Sequence, residues 1–205
     1  MVEVDCQLTR DGAAVILHDE TLARTTNGRG RVRDHSLAGI RALDAGSWFS
    51  KTFAGERVPT LEETIELLRD GAVGLNLELK GDDEPGRLEL VALGVVSSYR
   101  FLEHTVFSSF STRRMRSLRE RSAHARIGVL LDTGAPWEGG LALAVELGAE
   151  ALHPERSLVT PERVAEAHRR GLLVRVWPVN RPRDIERLLS FDVDGIFTDF
   201  PERLS

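Results

Sequence analysis

Leu75-Asn76-Leu77-Glu78-Leu79-Lys80 alternates apolar and polar side chains with period two, the pattern of a half-buried strand. Residues 88–99 follow with helical spacing, and the pair opens a strand–helix alternation that runs to the end of the chain. Residues 105–110 read as strand and 112–121 as a helix opened by Ser111. Residues 126–131 are strand, and 136–147 a helix stopped by Gly148. A short strand at 151–154 precedes a helix capped by Thr160, with Pro161 at its first position, that runs to Gly171. Strand 172–179, helix 182–189 and strand 195–198 complete the series. Such regularity implies a parallel sheet with helices outside, and this many units points to a (β/α) barrel rather than an open doubly wound sheet. No GxGxxG follows a strand, so a dinucleotide site is unsupported.

Upstream, Pro59-Thr60-Leu61-Glu62-Glu63 is a helix start, with Thr60 as N-cap, Glu63 at the capping-box position and Leu61, Ile65 and Leu68 as the apolar stripe. Gly71 ends that helix. Residues 24–58 lack a strong period apart from a short helical piece near 37–43, and read as an inserted excursion in which Trp48, Phe49 and Phe53 need something to pack on. The first nineteen residues hold two short apolar runs around Asp11-Gly12, a hairpin signal because a type I′ turn needs positive φ at both central residues. A two-residue loop would set Leu8 opposite Val15 and Asp5 opposite His18. It would place Glu3, Asp5, Gln7, Ile16 and His18 on one face and Val4, Cys6, Leu8, Val15 and Leu17 on the core face. Two carboxylates and an imidazole together suit a hard divalent cation with an acid/base group beside it. A solvated polar face of an edge hairpin fits the same residues.

Composition bounds the rest. A chain of 205 residues with 41% hydrophobic and 29% charged residues is expected to form one soluble domain, 1–205, with 24–58 as an insertion within it. A net charge of −5 argues against nucleic acid as a partner, and no apolar run reaches membrane-spanning length. No leader is visible, so a cytoplasmic location is expected. The single cysteine, Cys6, makes no internal disulfide and suits the core face of the hairpin.

In (β/α) barrels active sites lie at the C-terminal strand ends. Glu78 and Lys80, two apart, share a face there with Asn76. Lys51 and Lys80 are the only lysines, beside 25 arginines. A compact point charge at a strand end suits a phosphate or metal-bound oxyanion, and a chance rim lysine is the bland alternative. Ser108, Ser109, His153, Trp177, Asn180, Thr198 and Asp199 also fall at strand ends. His153 fits a satisfied rim histidine as well as a substrate contact, and Trp177 fits core or the apolar wall of a pocket. Asp199 fits a turn cap. His35, His104, His124 and His168 read as surface residues.

The chain resembles the glycerophosphodiester phosphodiesterase family. The matching stretches occur in family order: VEVDCQLTRDG, AVILHDETLARTTNGRG, LDAGSWF, VPTLEE, LNLELK, VFSSF, VWPVN and GIFTDFP. The resemblance implies a (β/α)8 TIM barrel of the phospholipase-C-like phosphodiesterase type with a small insertion after the rim hairpin. It implies cleavage of glycerophosphodiesters to glycerol 3-phosphate and an alcohol, with magnesium or calcium as cofactor. Carried over residue by residue, Glu3, Asp5 and Glu78 match metal ligands and His18 one of two acid/base histidines. Lys80 matches a lysine near the phosphate, and Trp177 looks like an aromatic lining the apolar side of the cleft.

The family also begins with a strand ending in His-Arg-Gly and a helix opened by Pro-Glu-Asn-Thr, and neither motif occurs in these 205 residues. The barrel is therefore expected to lack its first βα unit, seven strands being countable, and the chain alone to be weak or inactive. Exposed strand edges make marginal stability or a homo-oligomer the expectation. Two alternatives are a non-catalytic phosphodiester- or metal-binding relic and a related phosphodiesterase acting on choline-bearing lipids.

Overall fold

The computed structural model describes residues 1–81 and 86–204. Two compact units emerge, one formed by Met1–Phe107 with Ser117–Ala125, the other by Ser108–Arg116 with Arg126–Ser205.

In the first unit β1 (Val2–Leu8) lies between β2 (Ala14–Ile16), antiparallel, and β3 (Leu75–Leu79), parallel. The helices α1 (Leu37–Arg41), α2 (Leu61–Asp70) and α3 (Arg87–Ser98) belong to it. The capping box that opens α2 is present in both directions: Glu63 N–H donates to Thr60 Oγ1 at 3.2 Å and Thr60 N–H to Glu63 Oε2 at 3.0 Å. Gly71 is the C-cap as expected, but the left-handed turn that follows falls on Ala72, at φ 52.

The hairpin differs from its sequence reading. Cys6 pairs with Ile16, Gln7 with Val15 and Leu8 with Ala14, one residue out of the expected register. The loop has three residues, Arg10, Asp11 and Gly12. Thr9 N–H donates to Ala13 O at 2.9 Å, Gly12 N–H to Thr9 O at 3.0 Å, and Gly12 sits at φ 85. This is a tight turn closed by a left-handed glycine bulge. Side chains select it, because the Thr9 hydroxyl donates to Asp11 Oδ1 at 2.6 Å and accepts from Ala13 N–H at 3.0 Å. A one-residue slip turns the return arm over. Ile16 therefore shares the face of Cys6, Val15 shares that of Gln7, and β2 ends before His18.

The excursion packs with the return arm of the hairpin on a small core of Val15, Leu17, Leu22, Val32, Ile40 and Val58. Trp48, Phe49 and Phe53 do not enter it. They pack on one another, with ring centroids 5.7 and 5.8 Å apart, and stay exposed. Asp44 pins this loop: its Oδ1 accepts from the N–H of Gly46 and of Ser47, and its Oδ2 from Gly55 N–H and the Ser47 hydroxyl. Those four donors hold the Asp44 carboxyl well below the usual range. Gly46 is required by close approach, since a Cβ there would lie 1.9 Å from the Phe53 carbonyl oxygen. Gly46→Ala is expected to cost about 1–3 kcal/mol through forced backbone movement. That corresponds to a melting temperature lower by several degrees, measurable by thermal denaturation.

The second unit alternates β5 (Arg126–Leu131), α5 (Trp137–Glu146), β6 (Ala151–Pro154), α6 (Pro161–Arg169), β7 (Leu173–Val176), α7 (Pro182–Leu189) and β8 (Gly195–Ile196), with each adjacent strand pair parallel. β4 (Thr105–Ser109) and α4 (Thr112–Arg121) are divided between the units. Val129, Leu152 and Val174 form one buried register row. The last two strands are shorter than their apolar runs, because the chain past Val176 and Ile196 turns into rim loops tied by Asn180.

His153, expected at the rim, is fully buried. Its ring lies over Gly128, where a Cβ would come within 2.2 Å of it, and meets Phe197 edge-on at 5.1 Å. Neither ring nitrogen has a hydrogen-bond partner, and burial pushes the imidazole pKa down to about 3, with Arg175 adding repulsion. His168 is tied rather than loose, its Nε2 lying 2.8 Å from Asp194 Oδ2.

Candidate metal and active site

Parallel pairing of β1 with β3 sets Glu3 beside Asn76 and Asp5 beside Glu78. Register partners on neighbouring strands project to the same face, so the two acidic residues of β1 and the one of β3 converge. One carboxylate oxygen from each of Glu3, Asp5 and Glu78 lies within 4.8 Å of the others. Their exposure is graded, Glu3 being open, Asp5 half-buried and Glu78 buried. Lys80 follows on the same face, its Nζ 2.9 Å from Asp5 Oδ1 and 3.7 Å from Glu78 Oε1.

Burial pushes the Glu78 carboxyl up to about 7, the Asp5 charge adds to that, and Lys80 and His18 oppose it. The charged form of Glu78 is thus short of positive charge even with a lysine beside it. Three converging oxygen donors, one of them buried, are a donor set for a hard divalent cation such as magnesium or calcium. The residues fit such an ion.

The structure also sets His18 near enough to act on the Glu78 charge, by a route other than the expected strand pairing. Leu17 N–H donates to Asp5 O at 2.9 Å, so Leu17 occupies the level assigned to His18, and the histidine hangs at the start of the following bend. The bend is held from below by Gln7. This buried amide donates to Leu17 O at 2.6 Å and to Asp19 O at 2.8 Å. His18 Nδ1 lies 2.7 Å from Asp19 Oδ1, and Arg24 grips the same carboxylate through Nε at 2.6 Å and Nη2 at 2.8 Å. Hydrogen bonds from Arg24, then His18, hold the Asp19 carboxyl far below the usual range. An ionised carboxylate accepts and does not donate, so the His18 Nδ1–H donates to Asp19 and Nε2 is left facing away from this bond.

Gln7, Asp19 and Arg24, which the sequence reading left without a role, hold this bend and the His18 side chain in place. A buried glutamine between acidic strand residues and the His-Asp dipeptide were the available signals. Gln7→Leu strands two backbone carbonyls, one of them buried. It is expected to lower stability by about 1–3 kcal/mol, read as a shift in urea midpoint, while the acidic residues keep their register.

Trp177 belongs to the second unit. Its indole N–H donates to His153 O at 2.7 Å, and its ring meets Phe110 edge-on at 5.3 Å. It is half-buried, with its one polar group fixed by that bond. Asp199 is tied to Asn180, whose Nδ2 donates to Asp199 Oδ2 at 2.7 Å.

The sequence profile of the glycerophosphoryl diester phosphodiesterase family matches residues 1–203. The chain belongs to the glycerophosphoryl diester phosphodiesterase family. Among its relatives, the glycerophosphodiester phosphodiesterase of Caldanaerobacter subterraneus subsp. tengcongensis is 40% identical over 207 residues, covering 99% of this chain and 83% of the relative. A Bacillus subtilis glycerophosphodiester phosphodiesterase is 32% identical, covering 98% of this chain and 74% of its own length. Among solved structures, an Oleispira antarctica phosphodiesterase in complex with the product sn-glycerol-3-phosphate superposes with a TM-score of 0.89 at 29% identity, covering 99% of this chain and 82% of that one. The glycerophosphodiester phosphodiesterase of Agrobacterium tumefaciens does so at 0.83 and 28%, covering 98% and 84%. The fold class is accordingly that of the TIM-barrel phosphodiesterases, as the strand–helix alternation implied. Among the described residues no helix is long and apolar enough to cross a membrane.

Proposed function

We propose that this chain carries the site for hydrolysis of glycerophosphodiesters to glycerol 3-phosphate and an alcohol, with Glu3, Asp5 and Glu78 holding Mg2+ or Ca2+. The observation that carries the reading is the convergence of those three carboxylates within 4.8 Å, on neighbouring strands beside Lys80, in a member of this family. The ion, when bound, supplies Lewis-acid polarisation of the phosphoryl oxygens. Lys80 offsets negative charge at the same oxygens in this reading. His18, fixed through Nδ1 by Asp19, exchanges a proton at Nε2. It either takes one from the attacking oxygen, the glycerol 2-hydroxyl in a route through a cyclic phosphate, or gives one to the leaving alcohol. Trp177 is assigned, on the family pattern, to the apolar side of the substrate.

Acid/base chemistry of this kind uses two groups, and the His-Arg-Gly motif that carries the second histidine is not among these residues. Turnover by the 205 residues alone is therefore expected to fall short of the Caldanaerobacter relative by about 10²- to 10⁴-fold. The test is release of glycerol 3-phosphate from glycerophosphocholine and glycerophosphoethanolamine, with and without EDTA, beside that relative. Weak, EDTA-sensitive release is the expected result. Turnover equal to the relative's would refute the one-histidine reading, and no release together with calorimetrically silent Mg2+ and Ca2+ titrations would refute the metal site.

A further inference from the structure

The chain's charge is unevenly placed. Residues 24–58 carry seven Lys and Arg against three Asp and Glu, a net +4, in a chain of net −5, so the rest carries −9. The same excursion presents Trp48, Phe49 and Phe53, respectively 53%, 71% and 46% exposed. The Trp48 indole N–H is already satisfied by Ala45 O at 2.8 Å, so the ring surface left to solvent is apolar. Lys51, one of the two lysines, stands in the short turn Lys51–Phe53 between two of the aromatics, and Arg57 follows close behind. The loop is not slack. Asp44 binds it through four donors, and the contact of Gly46 with the Phe53 carbonyl leaves no room for another side chain.

Rigid aromatic tips beside basic side chains, on a lobe opposite in sign to the rest of its protein, suit the headgroup layer of an anionic bilayer. Aromatic rings settle at the interface, lysine and arginine reach the phosphates, and an anionic surface attracts this lobe while repelling the remainder. The three rings offer on the order of 300 Å² of apolar surface. That is well short of the ~800 Å² per partner of a stable protein interface, so a second chain is the poorer occupant. We propose that the excursion 24–58 is a peripheral anchor for anionic phospholipid bilayers, seating Trp48, Phe49 and Phe53 among the headgroups with Lys51 and Arg57 at the phosphates.

The test is co-sedimentation of the 205-residue chain with phosphatidylcholine vesicles and with vesicles containing phosphatidylglycerol, at low and high salt. It needs no enzymatic readout, so it stands apart from the hydrolysis assay. The bound fraction is expected to be about tenfold or more higher on the anionic vesicles and to fall with salt. It should fall to the neutral-vesicle level in both Phe49→Ser and the double change Lys51→Glu with Arg57→Glu. These are surface positions, and circular dichroism checks their folding. Equal binding to both vesicle types, or unchanged binding by folded variants, would overturn the proposal. So would concentration-dependent self-association that Phe49→Ser abolishes without vesicles, which would assign the patch to a second copy. Loss of soluble-substrate turnover in Phe49→Ser, with wild type indifferent to vesicles, would assign the aromatics to the substrate instead.

Discussion

Glu78→Gln is expected to abolish divalent-cation binding and, in the same protein, to raise the stability of the metal-free fold. Both effects have one cause. The buried carboxyl is pushed up to about 7 from an ordinary 4.5, so its charged form is disfavoured in the folded chain. For an acid with a raised folded pKa, the folded state binds more protons than the unfolded state between the two values. Its contribution is therefore favourable at low pH and is lost as pH rises from about 4.5 to about 7, at about 1.4 kcal/mol per unit. Above pH 7 the wild-type fold carries a strain on the order of 3 kcal/mol that glutamine removes. Removing a proposed ion ligand acts the other way on function, and a loss of at least ~10²-fold in turnover is expected. Calorimetric titration with Mg2+ and Ca2+ and urea denaturation in EDTA at pH 8 read the two halves separately. Unchanged cation affinity in the variant would remove Glu78 from the ligand set.

The second large effect belongs to His153. Its folded pKa is pushed below the ordinary 6.5 to about 3, so between those values the unfolded chain binds the extra proton. Stability is then lost as pH falls from 6.5 toward 3, again at about 1.4 kcal/mol per unit. His153→Leu replaces a buried, unpartnered imidazole with an apolar side chain and is expected to flatten this acid limb, judged by urea midpoints at pH 4, 5.5 and 8. Glu78 and His153 have opposite slopes that overlap between about 4.5 and 6.5, so their contributions to wild-type stability should oppose each other there. Glu78→Gln should expose the histidine limb, and His153→Leu the glutamate limb. A variant profile parallel to wild type in that window would refute its assignment.

Much of this was legible in the sequence where a rule concerns local chemistry. The Thr60/Glu63 capping box, Pro161 at a helix start and the strand–helix alternation each follow from nearest neighbours, and each stands in the structure. Glu3, Asp5, Glu78 and Lys80 could be named because a period of two fixes which side chains share a face. The hairpin register was misread because Asp11-Gly12 favours a two-residue loop in isolation, whereas Thr9 spends its hydroxyl on closing a three-residue one. His153 was misplaced because a strand-end position says nothing about the absent side chain of Gly128 across the sheet, which admits the ring to the interior. The excursion's aromatics needed a packing partner by any compositional rule, and that they serve as their own is a tertiary fact.

The pairing of β1 with β3 also bears on how the site comes into being. Glu3 and Asn76 are register partners with the whole excursion and α2 lying between them in the chain. The first hairpin closes across a few residues and forms from local contacts, whereas the carboxylate cluster waits on a long loop closure whose entropy is lost before any contact rewards it. In the unfolded chain its donors are scattered, so a cation held by all three, as proposed, would select the completed topology and clamp this non-local pairing.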